Sequence, residues 1–118
     1  MIRALLAVLL AAALSASAAS PVRVRVYHTN DVHGWFMPRP DQLQPERRVG
    51  GAAAFAALLA KERGPRLVLD AGDWWQGTPE GSLTKGAAAA EIFNAVGYDA
   101  LAIGNHEYDA GLDALRAL

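Results

Sequence analysis

Three short segments of the chain contain side chains that could bind a metal ion. They are NDVHG at residues 30–34, GDWWQG at residues 72–77 and GNHE at residues 104–107. Carboxylates, amide oxygens and imidazoles are ligands that hard-to-borderline divalent cations accept in proteins. The neighbouring glycines allow the backbone to turn sharply and to approach an ion closely. Together the segments predict a metal-dependent hydrolase whose site is gathered from all three.

The first two segments are ambiguous when each is considered alone. Asp31 and His33 are two positions apart, and in an extended segment both side chains point in the same direction. For this pair alone, a polar pair at the surface is a better interpretation than one half of a metal site. Asp73 follows Gly72, and its carboxylate could bridge two metal ions about 3.5–4 Å apart. In isolation, an aspartate that caps its own turn is the simpler interpretation.

The third segment carries a stronger signal. Asn105 offers a neutral oxygen ligand, or it could cap the start of a helix. His106 could bind a metal, protonate a leaving group or stabilise an oxyanion. Asp109 follows three residues later, close enough in a turn or helix start to orient His106 and make it more basic.

Each of these segments follows a predicted strand. Residues 22–29 alternate valine and arginine with the period of a strand, and residues 67–69 and 100–103 are short apolar runs typical of buried strands. Strands that alternate with helices predict an α/β fold with a mainly parallel sheet and covering helices. In such sheets, sites form outside the carboxyl ends of the strands, so all three segments are expected at one edge.

Helical spacing of apolar residues predicts two complete helices. They cover residues 52–63 and residues 87–96, with Gly97 as the stop signal of the second. The connections, including residues 78–81, are predicted to be loops. Residues 112–118 begin a further helix without a glycine, proline or cap to end it, which predicts that the chain is the N-terminal piece of a longer protein.

Composition limits the class of protein. The 118 residues allow one domain at most, and the absence of cysteine excludes disulfides, a thiolate metal site and a lipid-anchored cysteine. The formal charge is −1 at pH 7, and it becomes −2 if Arg3 is removed with a leader. Such a balance predicts neither a nucleic-acid polymer as partner nor a basic membrane-binding patch.

The first 19 residues have the pattern of a secretory signal peptide. A short basic start precedes the apolar run of residues 4–14, and residues 16–18 form an A-x-A cleavage site. Eleven apolar residues span only about half of a bilayer core, which disfavours a stable membrane anchor. The sequence therefore predicts a signal peptide at 1–19, a domain part at 20–118, and export to the periplasm or the extracellular space.

In this order, the three segments resemble those of the calcineurin-like metallophosphoesterases, and within that family the exported 5′-nucleotidase type. The matching stretches are HTNDVHG at residues 28–34, DAGDWWQGT at residues 70–78, and residues 97–111. The resemblance implies that the chain forms part of an α/β/β/α sandwich. It also implies a dinuclear centre of divalent metal ions, with manganese, zinc, cobalt or calcium compatible with the ligands.

The resemblance also implies roles for individual residues. Asp31 and His33 would bind the first metal, Asp73 would bridge both metals, and Asn105 would bind the second. The remaining residue assignments concern catalysis rather than metal binding.

His106, paired with Asp109, would be catalytic and would contact phosphoryl oxygens rather than a metal. The reaction implied is hydrolysis of a phosphoester by metal-activated water. Asp70 is expected to orient a ligand. Trp74 and Trp75 are expected to pack their loop.

The implied substrate is a nucleotide or another small phosphoester, cleaved by a 5′-nucleotidase or a 2′,3′-cyclic phosphodiesterase. A thiosulfohydrolase-type relative and a non-catalytic exported α/β binding domain remain alternatives. The family also uses downstream histidine ligands and a C-terminal substrate domain, and no histidine follows His106 in this sequence. We therefore expect residues 20–118 alone to bind metal weakly and to be inactive.

Overall fold

The computed structural model describes residues 20–118; the predicted signal peptide, residues 1–19, lies outside the described part of the chain. In chain order the elements are β1 (Arg25–Thr29), β2 (Arg39–Pro40), β3 (Arg48–Val49), α1 (Ala52–Leu59), β4 (Arg66–Asp70), α2 (Pro79–Ser82), α3 (Ala87–Val96), β5 (Ala100–Leu101), a 3₁₀ helix (His106–Tyr108) and α4 (Leu112–Arg116). Within residues 20–118, no helix has the length and apolar character needed to cross a membrane.

Strands β1, β4 and β5 form a parallel sheet in that order, which confirms the predicted strand direction. The register places Thr29 beside Asp70, and Asp70 beside Leu101. The carboxyl ends of the strands meet at one edge, so the three site segments leave the sheet side by side. Strands β2 and β3 form a separate antiparallel pair in the connection between β1 and α1, where the sequence predicts only a loop.

Aromatic side chains fill the core between the sheet and helix α3. Phe93 of α3 lies at the centre of this packing and is 2% exposed. Centroid distances from its ring are 6.0 Å to Phe36, 6.1 Å to Trp74 and 4.6 Å to Tyr98. Each such pair contributes about 0.5–1.5 kcal/mol beyond the burial of area. Trp74 and Trp75 are buried as predicted, which anchors the GDWWQG loop in the core.

A partly buried polar network joins the ends of β1 and β4. The Thr29 hydroxyl donates to Asp70 Oδ2 at 2.5 Å, so the Tyr98 hydroxyl donates to Thr29 Oγ1 at 2.9 Å. Burial raises the pKa of Tyr98. Asp70 Oδ1 accepts a hydrogen bond from Gly72 N–H at 2.8 Å. Asp70 therefore shapes the turn that leads to the candidate ligand Asp73, and its role in orienting a ligand stays a prediction.

Two strands are shorter than predicted because their partners end. β1 begins at Arg25 rather than at residue 22. Arg25 pairs with Arg66, which is the first residue of β4. β5 ends at Leu101 rather than at residue 103. Leu101 pairs with Asp70, which is the last residue of β4. The apolar runs continue beyond the strands in the sequence, but the ladder has no further partner residues to pair with them.

The two main helices differ in how well the sequence predicts their ends. α3 covers residues 87–96 as predicted, and Gly97 ends it with a left-handed φ of 88°. α1 stops at Leu59, four residues before the predicted end. The Leu59 carbonyl accepts from Glu62 N–H and from the Arg66 guanidinium, so these donors replace the next α-helical bond.

A short helix, α2, occupies part of the segment predicted as a polar loop. Thr78 precedes it and accepts a hydrogen bond from Gly81 N–H at 3.2 Å through its side chain. Pro79 occupies the first helical position. A threonine N-cap followed by proline is a helix-start signal, so this helix was readable from the sequence.

Candidate metal centre

The loops that follow β1 and β4 are bonded to each other through their backbones. Asp31 N–H donates to the Gly72 carbonyl and His33 N–H donates to the Asp73 carbonyl, each at 3.0 Å. These bonds give Asp31 and His33 left-handed φ angles of 51° and 49°, so the segment is not extended as the sequence predicted. The two side chains converge because the second loop holds the first, not because of strand alternation.

Side chains from all three loops meet at the edge of the sheet. Ligand atoms of His33, Asp73 and His106 all lie within 4.8 Å of one another. Asp31 Oδ1 lies 3.7 Å from His33 Nε2. His106 is close enough to this group to reach either a metal held there or a substrate beside it. The position of His106 alone therefore does not separate the two roles considered from the sequence.

Hydrogen bonds fix the tautomer of His33 in a form that suits metal binding. His33 Nδ1 lies 2.7 Å from the carbonyl oxygen of Gln76. Because a carbonyl can only accept, Nδ1 carries the proton, and in the neutral ring Nε2 keeps a lone pair. Nε2 is also the ring nitrogen that faces Asp31. A histidine that donates its other nitrogen to a carbonyl is the usual arrangement of a metal ligand.

His106 and Asp109 form the pair that their spacing predicts. His106 Nδ1 lies 2.8 Å from Asp109 Oδ2. This hydrogen bond is the main reason why the pKa of His106 is raised, while partial desolvation opposes the rise. Negative charges on Asp109, Asp73 and Glu107 raise it further. His106 Nε2 is left available, and the ring lies edge-on to that of His33, with centroids 5.2 Å apart.

The alternatives considered for Asp73 and Asn105 are not what the structure shows. Asp73 Oδ1 accepts from the backbone N–H of His106 in the neighbouring loop, at 3.0 Å, rather than from its own turn. Asn105 precedes the 3₁₀ helix and makes no side-chain capping bond there. Asn105 is exposed and lies next to His106 in the chain. Both side chains therefore keep oxygen atoms that a cation could use.

Unfavourable backbone angles are concentrated at this edge. Among residues 20–118, four non-glycine residues have positive φ: Asp31, His33, Asp73 and Lys85. Three of these four are candidate ligands. A left-handed conformation at a non-glycine residue costs on the order of 1–3 kcal/mol and persists only where surrounding bonds impose it. Such clustering points to a functional site.

The second and third loops are in direct backbone contact. A Cβ atom on Gly72 would lie 2.5 Å from the backbone nitrogen of Gly104 and 2.8 Å from its Cα. A Cβ on Gly104 would overlap the Asp73 carboxylate. Both positions therefore require glycine for the loops to approach this closely.

Sequence reasoning missed one residue of the site, Glu107. Its side chain is 1% exposed and accepts hydrogen bonds from three backbone N–H groups. The sequence placed it in the GNHE segment but gave it no role. One signal in the sequence could have indicated it. Glu107 is an acidic residue within a segment that forms the site, yet it is not one of the proposed ligands.

Comparisons with known proteins agree with this architecture. Residues 24–117 match the family model described as calcineurin-like phosphoesterase. A 5′-nucleotidase of Bos taurus is 39% identical over 117 residues, which cover 93% of this chain and 20% of that protein.

Two solved structures show the same fold. The 5′-nucleotidase precursor from Thermus thermophilus superposes with a TM-score of 0.68 at 35% identity, over 78% of this chain and 19% of that chain. The NAD nucleotidase of Haemophilus influenzae gives a TM-score of 0.63 at 34% identity, over 77% of this chain and 18% of that chain.

The chain spans about a fifth of the length of these relatives. The likeness confirms the predicted fold class, part of a metallophosphoesterase α/β sandwich with parallel strands and covering helices. The matched region contains all three loops of the candidate centre. The chain therefore belongs to the calcineurin-like phosphoesterase family.

Proposed function

We propose that this chain supplies part of the active site of a metal-dependent phosphoester hydrolase that acts on nucleotides. The observation that carries the proposal is the convergence of His33, Asp73 and His106, whose ligand atoms lie within 4.8 Å of one another. The 5′-nucleotidase relatives and the NAD nucleotidase relative support nucleotides as the substrate class. Within that class we propose a 5′-nucleotidase, as in the relatives, or a 2′,3′-cyclic phosphodiesterase.

The donor set fits a pair of divalent metal ions. Asp31 and His33 would hold the first ion, Asp73 would bridge both, and Asn105 would hold the second. The free Nε2 of His33 and the imposed backbone angles of the ligands support this assignment. A mixture of imidazole and carboxylate donors suits manganese, zinc or cobalt better than calcium, which takes oxygen ligands. When bound, such ions would lower the pKa of a bound water toward neutrality and neutralise phosphoryl charge.

In this scheme, His106 donates a hydrogen bond to the phosphoryl group and places a positive charge beside it. Asp109 holds the proton on Nδ1 and keeps the ring in one orientation. The hydrogen bond with Asp109 raises the pKa of His106 and so favours the protonated ring. As an imidazolium, His106 can donate from Nε2 to a phosphoryl oxygen as negative charge develops there.

The remaining parts of the enzyme are proposed from the sequence and the relatives. The leader at residues 1–19 and the precursor form of the Thermus thermophilus relative support export to the periplasm or beyond. Asp73 and Asn105 are too few ligands to hold the second ion tightly. We therefore place further histidine ligands and a substrate domain on chain beyond residue 118, because the relatives are about five times as long.

The test compares Asp73→Ala and His106→Ala in the complete gene product, with His28→Ala as the matched control. Metal content is measured by elemental analysis, and phosphate release is measured from AMP, a 2′,3′-cyclic nucleotide and NAD. Asp73→Ala should lose metal and turnover together. His106→Ala should keep its metal while kcat falls about 10²–10⁴-fold. His28 is a histidine outside the cluster of His33, Asp73 and His106, so its replacement should change neither metal content nor turnover.

Two results would contradict this assignment. Near-wild-type turnover in Asp73→Ala would remove the bridging role, and loss of metal in His106→Ala would make His106 a ligand. A wild-type product that binds nucleotide without releasing phosphate would favour the non-catalytic binding domain.

A further inference from the structure

We propose that Glu107 is a positioning residue that sets the distance between the loop carrying Asp73 and the loop carrying Asn105 and His106. The proposal rests on the proposed function, because it concerns how the candidate ligands are held. Glu107 itself would touch neither metal nor substrate. Its effect would reach the centre through the backbone of Asp73.

The Glu107 carboxylate is enclosed by backbone donors from both loops. Oε2 accepts from Asp73 N–H at 2.8 Å and from Gly104 N–H at 2.7 Å, while Oε1 accepts from Trp74 N–H at 2.7 Å. The side chain is 1% exposed. None of the ion pairs among residues 20–118 involves Glu107, so the direct partners of its carboxylate are backbone N–H groups. Hydrogen bonds to an ionised acceptor are about twice as strong as neutral ones.

The contact between the two loops runs in both directions. The second loop donates two backbone N–H groups, from Asp73 and Trp74, to Glu107 of the third. The third loop donates His106 N–H to Asp73 Oδ1 at 3.0 Å. We call these three bonds the loop clasp. Each loop thus holds the other through its acidic side chain, and the candidate bridging carboxylate is one of the two.

The conformation of Asp73 explains why such a clasp is needed. Its φ of 62° is unfavourable for a residue with a side chain, so a neighbouring group must hold its N–H in place. Glu107 accepts that N–H directly. It also accepts from Gly104, whose backbone would touch any Cβ on Gly72. Glu107 therefore holds the strained residue and the close loop approach together.

Only a carboxylate can accept all three backbone hydrogen bonds that reach position 107, from Asp73, Trp74 and Gly104. A glutamine at position 107 has the same shape but offers one acceptor oxygen and one NH₂ donor. At least one of the three backbone N–H groups would then face another donor. Removing the partner of a buried donor costs more than the bond itself contributes. The isosteric change Glu107→Gln therefore opens the clasp without leaving a cavity.

The test measures Mn²⁺ affinity and hydrogen exchange in the complete gene product for Glu107→Gln. Loss of a group that orients a ligand typically weakens metal binding about 10–100-fold, and we expect a loss in this range. Peptides covering residues 72–77 and 104–107 should both exchange faster, whereas the α3 peptide should not. Glu91→Gln removes the same charge from an exposed position in α3 and should leave both readouts at the wild-type level.

An affinity within twofold of wild type, combined with faster exchange in both loops, would reduce Glu107 to a structural support and overturn the proposal. Unchanged exchange in either loop would overturn the clasp itself. If wild type and Asp73→Ala both failed to bind Mn²⁺, the proposed metal centre would fail, while exchange in the two loops would still decide the clasp.

A second measurement on the wild type keeps the test open if Glu107→Gln does not fold. Addition of Mn²⁺ should slow exchange in both loop peptides with the same concentration midpoint. Protection of the two loops at different Mn²⁺ concentrations would show that they are not coupled and would contradict the proposal.

Discussion

The aromatic packing around Phe93 and the loop edge that carries Asp73 are neighbours in the fold, but different forces hold them. Around Phe93, the helix has regular geometry and ring contacts of 4.6–6.1 Å supply the stability. At the loop edge, candidate ligands have positive φ angles and hydrogen bonds between loops impose them. The core stabilises the molecule, whereas the edge uses part of that stability to hold an unfavourable but specific arrangement.

Trp74 links the two regions. Its ring packs 6.1 Å from that of Phe93, while its backbone N–H donates to Glu107 Oε1. The residue next to it, Asp73, has the strained backbone and the candidate bridging carboxylate. Damage to the core should therefore reach the site, while damage to the site should leave most of the core intact.

Phe93→Ala is expected to give the largest effect on stability. Removing a buried phenylalanine costs about 3–5 kcal/mol, because both transfer free energy and packing are lost. Urea unfolding followed by tryptophan fluorescence measures the change. Leu43→Ala is the control, because Leu43 is 91% exposed and its loss should stay within about 0.5 kcal/mol. An equal loss in both variants would show that Phe93 is not the centre of the packing.

Asp109→Asn should have a smaller effect that depends on pH. The hydrogen bond from Asp109 is the main cause of the raised pKa of His106, so the variant should lower that pKa toward the ordinary value of 6.5. Since the pKa is raised by folding, the stabilisation is fully present below the unfolded value and is lost as pH rises through the folded pKa. The stability difference between the two proteins should therefore be seen in mildly acidic solution and vanish in alkaline solution.

NMR titration of the histidine Cε1–H resonances measures this pKa, and His28→Ala and His33→Ala assign the signals. In the complete gene product, the alkaline limb of the pH–rate profile should move to lower pH, because the protonated ring is lost earlier. If the pKa of His106 were unchanged in Asp109→Asn, Asp109 would not be the cause of the raised pKa, despite the 2.8 Å contact between the two side chains.

The sequence predicted the parts of this molecule that are determined by local signals. Helix α3 has apolar periodicity and a terminal glycine, and both of its ends were predicted correctly. The parallel sheet followed from the alternation of strands and helices. The pair of His106 and Asp109 followed from a spacing of three residues in a turn. For the helix and for the pair, the determining residues lie close together in the chain, and for the sheet each strand and helix is indicated by its own local pattern.

The parts that were missed depend on contacts between distant segments. Glu107 gains its role only when Asp73 and Trp74, more than thirty positions away, bring their N–H groups to it. The left-handed angles of Asp31 and His33 come from bonds to the second loop, so no local pattern indicates them. Side-chain types could therefore identify the ligands, but they could not show how the ligands are held.

Lys85 allows the energetic cost of a left-handed backbone to be measured at a position outside the candidate site. The expected effect is the smallest of those considered. Its φ of 50° resembles the 62° of Asp73, yet it lies exposed between α2 and α3. Lys85→Gly should raise the free energy of unfolding by about 0.5–1 kcal/mol, because glycine adopts this angle freely at some cost in entropy. Asp73→Gly should gain less or lose stability, because it also removes the acceptor of His106 N–H.

Urea unfolding measures both glycine variants, and Lys85→Ala is the control that removes the side chain but keeps the strain. If Lys85→Gly and Lys85→Ala changed stability equally, the φ angle would not be the source of the gain. If Asp73→Gly stabilised the protein as much as Lys85→Gly, the hydrogen bond to Asp73 would contribute little. The strain at the edge would then be held by Glu107 alone, and the Glu107→Gln variant should show the larger opening of the two loops.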